Sequence, residues 1–186
     1  MTHLETTLLK IAKLLNDNDV PYILIGGYSM ALHGCPRLTQ DLDITLGLDI
    51  DHFDEIINIV DNEFKTIVDN PKQFAEKTNV LLLEDKKSSI RIDLIFSFID
   101  FERQAIKDAD TVVIEDIPVK NVSLENLIVY KILAGRERDK EDVKILLNTH
   151  KKNVNTEDIS KKIKELSLIM QNNAFSSWQK ILSDLE

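Results

Sequence analysis

The sequence predicts an α/β (α+β) fold, a mixed β-sheet flanked by helices with a C-terminal helical extension, and three observations predict it. Short apolar runs bounded by turn residues recur at Tyr22 to Ile25, Asp41 to Leu46, Val80 to Leu83, Ile90 to Phe96 and Thr111 to Ile114. Helical stripes alternate with the first of these runs. From Ser123 onward the strand signals stop and only helical periodicity continues.

Each element follows from its own pattern. Leu4, Leu8, Ile11 and Leu15 recur at helical spacing, and the stripe ends at the Asn16 to Asp19 cluster ahead of Pro21. Tyr22 to Ile25 is a strand stopped by Gly26-Gly27, after which Ser29 to His33 reads as a brief helix closed by Gly34 and Pro36. In Asp41 to Leu46 acids alternate with Leu42, Ile44 and Leu46, and Phe53, Ile56, Ile57 and Val60 then share a helical stripe. Lys86 to Ser89 is a hairpin connection between the third and fourth runs. Leu124, Leu127, Ile128 and Ile132 begin a helix that Gly135 ends, followed by helices marked by Val143, Leu146 and Leu147, by Ile159, Ile163, Leu166 and Met170, and by Phe175, Trp178 and Leu182. The expected organisation is an α/β core over residues 1–120 and a helical region over 121–186. No internal repeat or low-complexity segment interrupts it.

Composition excludes several classes. At 186 residues with 43% hydrophobic and 30% charged side chains, the chain can build one core and is not disordered. No apolar run reaches the ~18 residues of a membrane span, and the first ten residues lack a leader pattern, so a cytoplasmic, unprocessed protein without a membrane partner is expected. The single Cys35 excludes an intramolecular disulfide and a thiol-pair metal site, and suits a reducing compartment as an inert thiol. The net charge of -9 argues against bulk binding to nucleic acid. Residues 49–70 alone contribute -6, which reads as a solvated helix face, while Lys151, Lys152, Lys161, Lys162 and Lys164 form the densest positive patch.

The chemistry concentrates in three carboxylates. Side chains two apart on a strand point the same way, so Asp41 and Asp43 share a face about 7 Å apart at the backbone while Leu42 and Ile44 turn to the core. Ile92-Asp93-Leu94 repeats the arrangement, and pairing of the two strands would bring three acids together. Ionised carboxylates that close repel and raise one another's pKa unless a divalent cation neutralises them, and all-oxygen ligands favour Mg²⁺ or Mn²⁺. Gly26-Gly27, between a strand and a helix, exposes backbone N–H groups that can receive a phosphate. Taken singly, each acid also fits the solvent face of a half-buried strand, and each glycine fits a tight turn.

This ensemble resembles the DNA polymerase beta-like nucleotidyltransferase superfamily, with its Gly-[Gly/Ser] turn, Asp-x-Asp strand and later third Asp, here Gly26-Gly27, Asp41-Leu42-Asp43 and Asp93. Within it, Gly26 to Gly34 followed by Arg37-x-Thr39-x-Asp41-Leu42-Asp43 looks like the small bacterial branch of AbiEii-type abortive-infection toxins. Lys131 with Arg136-Glu137-Arg138-Asp139-Lys140-Glu141-Asp142 extends that likeness over residues 20–147. Gly27 stands where many relatives carry Ser, which leaves a side-chain contact to phosphate absent or supplied by Ser29.

The resemblance implies a nucleotidyltransferase-like core that moves NMP from an NTP to a hydroxyl. Asp41, Asp43 and Asp93 would hold two Mg²⁺ ions, with Asp93 helping to activate the acceptor. Gly26 and Gly27 would cradle the terminal phosphates, with Arg37, Thr39 and Lys131 at the nucleotide. Other readings stand beside these: a loop cation for Arg37, a strand edge for Thr39, an exposed solubilising residue for Lys131, a helix end for His33, and helix capping for Asp139 and Asp142. The acceptor is left open among tRNA, protein and a small molecule such as an antibiotic. A toxin would also have an antitoxin protein as partner. The competing classes are a catalytically inactive nucleotide- or protein-binding relative and an RNA-binding module using the lysines after His150.

Overall fold

The computed structural model describes residues 1–151 and 153–184. The chain divides into two compact units, Met1–Ser29 with Arg37–Val122, and Met30–Pro36 with Ser123–Glu186.

The first unit is built on a seven-stranded sheet. Its elements are α1 (His3–Asp17), β1 (Tyr22–Ile25), β2 (Asp41–Leu46), α3 (Phe53–Val60), β3 (Phe64–Thr66), α4 (Pro71–Thr78), β4 (Val80–Asp85), β5 (Arg91–Phe96), α5 (Asp100–Lys107), β6 (Asp110–Ile114) and β7 (Ile117–Asn121). A further helix, α2 (Gly26–Leu32), begins in this unit and ends in the second. The strand order is β3-β4-β5-β2-β1-β7-β6, with β1–β7 and β2–β5 parallel and the other pairs antiparallel, so the sheet is mixed.

One face of the sheet is core. Leu42, Ile44, Leu46, Leu81, Leu83, Ile92, Leu94 and Phe96 are buried there, each worth roughly 1.5–3 kcal/mol of transfer free energy. Helix α1 contributes its stripe of Leu8, Ile11, Ala12 and Leu15 and contacts β2, β7 and α3. It starts in a capping box, in which the Thr2 hydroxyl accepts from the Glu5 amide and the Glu5 carboxylate from the Thr2 amide. A buried polar cluster ties α1 to the β4–β5 hairpin. Asp85, 1% exposed, accepts from Lys10 Nζ at 2.8 and 2.9 Å, from the Thr7 hydroxyl at 3.0 Å and from the Lys87 amide at 2.8 Å. Burial would push its carboxyl up, but those donors outweigh it and hold the pKa down at about 2.

Five elements depart from the sequence expectation. Strand β3 is too short to show alternation, and α4 and α5 bury only Ala75 and the pair Glu102 and Ala105, so neither carries an apolar stripe. Strand β7 contains Pro118, which argues against an inner strand, yet its pairing with β1 is confined to Leu24 and Asn121. Helix α2 begins at Gly26 itself, three residues before Ser29. The acids of residues 49–70 are not one helix face. They spread over a 3₁₀ turn, α3 and the loop segments before and after β3, with Asp49 accepting from the Asp51 amide and Asp54 from Lys72.

In the second unit α6 (Leu124–Ala134) is the central helix, in contact with α7 (Glu137–Thr149), α8 (Thr156–Ile169) and α9 (Ala174–Ser183). It buries Leu127, Ile128, Val129 and Ile132, and Gly135 ends it at φ 68°. Trp178 is fully buried and its indole N–H donates to Ser160 at 2.7 Å. His33, just past α2, accepts at its carbonyl from His150 at 2.8 Å. Of the lysines singled out above, Lys151, Lys161 and Lys164 are exposed and Lys162 pairs with Asp158 at 2.7 Å, while Lys152 lies outside the described residues. No helix among the described residues is long and apolar enough to cross a membrane.

Candidate active site

The site lies on the sheet face opposite the core, at the centre of the strand order. Strands β2 and β5 run parallel in register, so Asp41 stands across from Arg91 and Asp43 across from Asp93. Because alternate residues share a face, Asp41, Asp43, Arg91 and Asp93 project together, while Leu42 and Ile92 point into the core. Asp93 is half-buried. Burial, and then the charges of Asp43 and Asp41, push its carboxyl up to about 6 against a smaller lowering by Arg91. Electrostatically, therefore, the three acids form one group.

The glycine turn closes over the same acids. Strand β1 pairs antiparallel with β2 so that Ile25 faces Asp43, and the next residue, Gly26, adopts φ 69°. A Cβ at Gly26 would lie 1.9 Å from Asp43 Oδ2, so only glycine fits both the left-handed backbone and the carboxylate. At Gly27 a Cβ would lie 2.6 Å from Thr39 Oγ1 and 3.0 Å from the Arg37 guanidinium. The Thr39 hydroxyl in turn donates to Asp41 Oδ1 at 2.7 Å. This explains the departure at position 27: the space of a serine side chain is taken by Thr39, with Arg37 beside it. Gly26, Gly27, Arg37, Thr39, Asp41, Asp43 and Asp93 thus form one continuous patch.

Two residues named from the sequence sit differently. Ser29 is buried and its Oγ has no hydrogen-bond partner among the described residues, so as placed it is sealed from solvent rather than presented to a phosphate. Lys131 belongs to the second unit and is 4% exposed, which overturns the reading as a solubilising residue. Its ammonium is 2.6 Å from Asp142 and 3.8 Å from Asp139, and Asp139 also accepts from Arg136 at 2.6 Å. Asp139 and Asp142 are therefore buried ion-pair partners in place of helix caps; the N-cap residue of α7 is Arg136, without a side-chain cap.

Among the described residues, no three His, Cys, Asp or Glu side chains close on a point as a finished metal cage. The donor chemistry nonetheless fits a divalent cation: three carboxylates share one face, and after burial the charges of Asp43 and Asp41 raise the Asp93 carboxyl while Arg91 lowers it by less. Oxygen donors of this kind suit Mg²⁺ or Mn²⁺, which take one or two carboxylates and complete their shell with phosphate and water. Arg91 did not emerge from the sequence reading, although the two-residue alternation that joined Asp41 to Asp43 joins it equally to Asp93.

A family model described as "Nucleotidyl transferase of unknown function (DUF2204)" matches residues 4–177. The chain belongs to this family of nucleotidyltransferases. Its fold is that of solved nucleotidyltransferase structures. One is the solution structure of the antibiotic-resistance factor ANT(2'')-Ia, with a TM-score of 0.61, 14% identity, and coverage of 90% of this chain and 93% of that one. The crystal structure of ANT(2'')-Ia with adenylyl-2''-tobramycin gives a TM-score of 0.56 at 16% identity over 97% and 98% of the two chains. The lincomycin-bound lincosamide antibiotic adenylyltransferase LnuA gives 0.53 at 18% identity over 76% and 95%. A search of the curated proteins finds no match.

Proposed function

We propose that this DUF2204 nucleotidyltransferase transfers NMP from an NTP to the hydroxyl of a small molecule. The observation that carries the reading is the joint placement of the glycine turn and the acids, with Asp43 against Gly26 and across from Asp93. Asp41, Asp43 and Asp93 would hold Mg²⁺ or Mn²⁺, which when bound screens phosphate charge and supports in-line displacement. The backbone N–H groups of the Gly26-Gly27 turn would receive the triphosphate, and Arg37 gives it a planar cation. Thr39 holds the Asp41 carboxylate in place through its hydrogen bond. The acceptor oxygen forms a bond to the α-phosphorus, the bond to the α,β-bridging oxygen breaks, and pyrophosphate leaves with that electron pair. The acceptor's proton passes to the Asp93 carboxylate. Positioning and electrostatics supply most of the rate.

A small-molecule acceptor is supported by the charge of -9, which disfavours RNA, and by the two antibiotic adenylyltransferases of like fold. Those relatives make ATP the first donor to try. A protein that consumes NTP and carries one cysteine suits the cytoplasm. The finer placement near AbiEii-type toxins rests on the motif from Gly26 to Asp43 with Lys131 and Asp142, and would add an antitoxin partner. The test is transfer of α-label from each NTP, with Mg²⁺ or Mn²⁺, to acceptors in a cell extract, with Asp43→Ala as control. Label on a small hydroxyl compound, lost in the variant, supports the reading. Label on tRNA or protein moves the case to the toxin, and none on any acceptor refutes the transfer activity.

A further inference from the structure

Strand order places a charged row beside the acids that neither the nucleotide nor the ions require. From the glycine turn outward the sheet runs β1, β2, β5, β4, β3, so the phosphate cradle lies on one side of Asp41 and Asp43 while Asp93 and Arg91 lie on the other. In-line displacement needs leaving group and acceptor on opposite sides of the phosphorus. The leaving pyrophosphate takes the glycine side, so the acceptor takes the side of β5 and β4. Level with Asp41, the register continues Arg91 on β5, Glu84 on β4 and Lys65 on β3, in alternating sign. Glu84 is satisfied by Lys65 at 2.8 Å. Arg91 is exposed and acts on Glu84 and Asp93 only through space, without an ion pair to either among the described residues. Level with Asp43, Leu82 stands across from Asp93 and is half-buried, as are Val80 and Ile95 on the same face.

We infer that Arg91 is the residue that selects the acceptor, and that the acceptor is a small hydroxyl compound carrying an anionic group, a phosphate or a carboxylate. The apolar floor of Leu82, Val80 and Ile95 takes its carbon skeleton, and the guanidinium fork takes its anion two residues along the strand from Asp93. A polycationic acceptor such as tobramycin meets a guanidinium at the same place and is rejected. This rests on the transfer reaction proposed above.

The experiment compares glycerol 3-phosphate and glycerate with glycerol and with tobramycin as acceptors of label from α-labelled ATP and Mg²⁺, in the full chain and in Arg91→Glu. In the parent, kcat/KM for at least one anionic probe exceeds that for glycerol by about 10- to 100-fold, the range of a charged hydrogen bond, and tobramycin takes no label. The phosphate and carboxylate probes show which anion is preferred. Arg91→Glu removes that preference, and Arg91→Lys keeps part of it. A parent that prefers glycerol or tobramycin, an anionic-to-neutral ratio unchanged in Arg91→Glu, or anionic probes left unlabelled although Mg-ATP binds, each overturns the inference. Absence of Mg-ATP binding by the parent instead brings down the transferase reading beneath it.

Discussion

Gly26 joins backbone conformation to the chemistry of the acids more tightly than any neighbour. Its φ of 69° is left-handed and a Cβ there would collide with the Asp43 carboxylate. Gly26→Ala therefore costs about 1–2 kcal/mol for the backbone alone and displaces Asp43. We expect a lower urea midpoint together with loss of NMP transfer, and transfer at the parental rate would show that the carboxylate does not need this position. Asp93 makes the opposite trade. Its carboxyl is raised to about 6, so at pH 7.5 its ionised form costs folding free energy. Asp93→Asn removes that cost and, discounted for partial exposure, stabilises the ion-free protein by roughly 1–2 kcal/mol while abolishing transfer. Equilibrium denaturation and label transfer measured on the same preparation check both halves. A variant less stable than the parent would mean that the acids are already neutralised within the protein. Much of this patch was legible in the sequence, since the alternation of Asp41-Leu42-Asp43 and Ile92-Asp93-Leu94 fixes which side chains share a face. The contact between Gly27 and Thr39 was not, because it joins backbone to a loop side chain twelve positions on.

The hairpin between β4 and β5 shows how an element is held by buried charge. Asp85 has a folded pKa of about 2 against an ordinary value of 3.8, so its contribution is complete above about pH 4 and is lost as pH falls through 2. It amounts to at most about 2 kcal/mol. Asp85→Asn should flatten the fall in stability between pH 4 and pH 2 by that amount, and an unchanged acid limb would contradict the assignment. In the helical unit, Lys131 joins α6 to α7 through Asp142 and Asp139. Lys131→Met takes the cation from between two buried carboxylates and should cost about 3 kcal/mol in urea denaturation; a loss under 1 kcal/mol would return the lysine to a surface role. The helix containing Lys131 was legible from its apolar repeat and Gly135, but the ion pair was not. Asp139 and Asp142 satisfy the spacing of a helix start equally well, and only tertiary packing decides between capping and pairing. The missed elements, β3, α4, α5 and β7, are those where few apolar residues face the core or a proline masks the strand.

For the molecule as a whole, the mixed sheet brings together three segments far apart in the chain, the glycine turn at 26–27, the acids at 41–43 and the acid at 93. The family match over residues 4–177 and the fold relatives agree with a nucleotidyltransferase, and the proposed chemistry asks of that fold one thing, that nucleotide and divalent cation bind together on this patch. Titration calorimetry with a nonhydrolysable ATP analogue tests it most directly, with and without Mg²⁺, on the full chain and on Asp43→Ala. The account predicts binding that requires Mg²⁺ and is lost in the variant. Equal heats without the cation, or an undiminished affinity in Asp43→Ala, would contradict it.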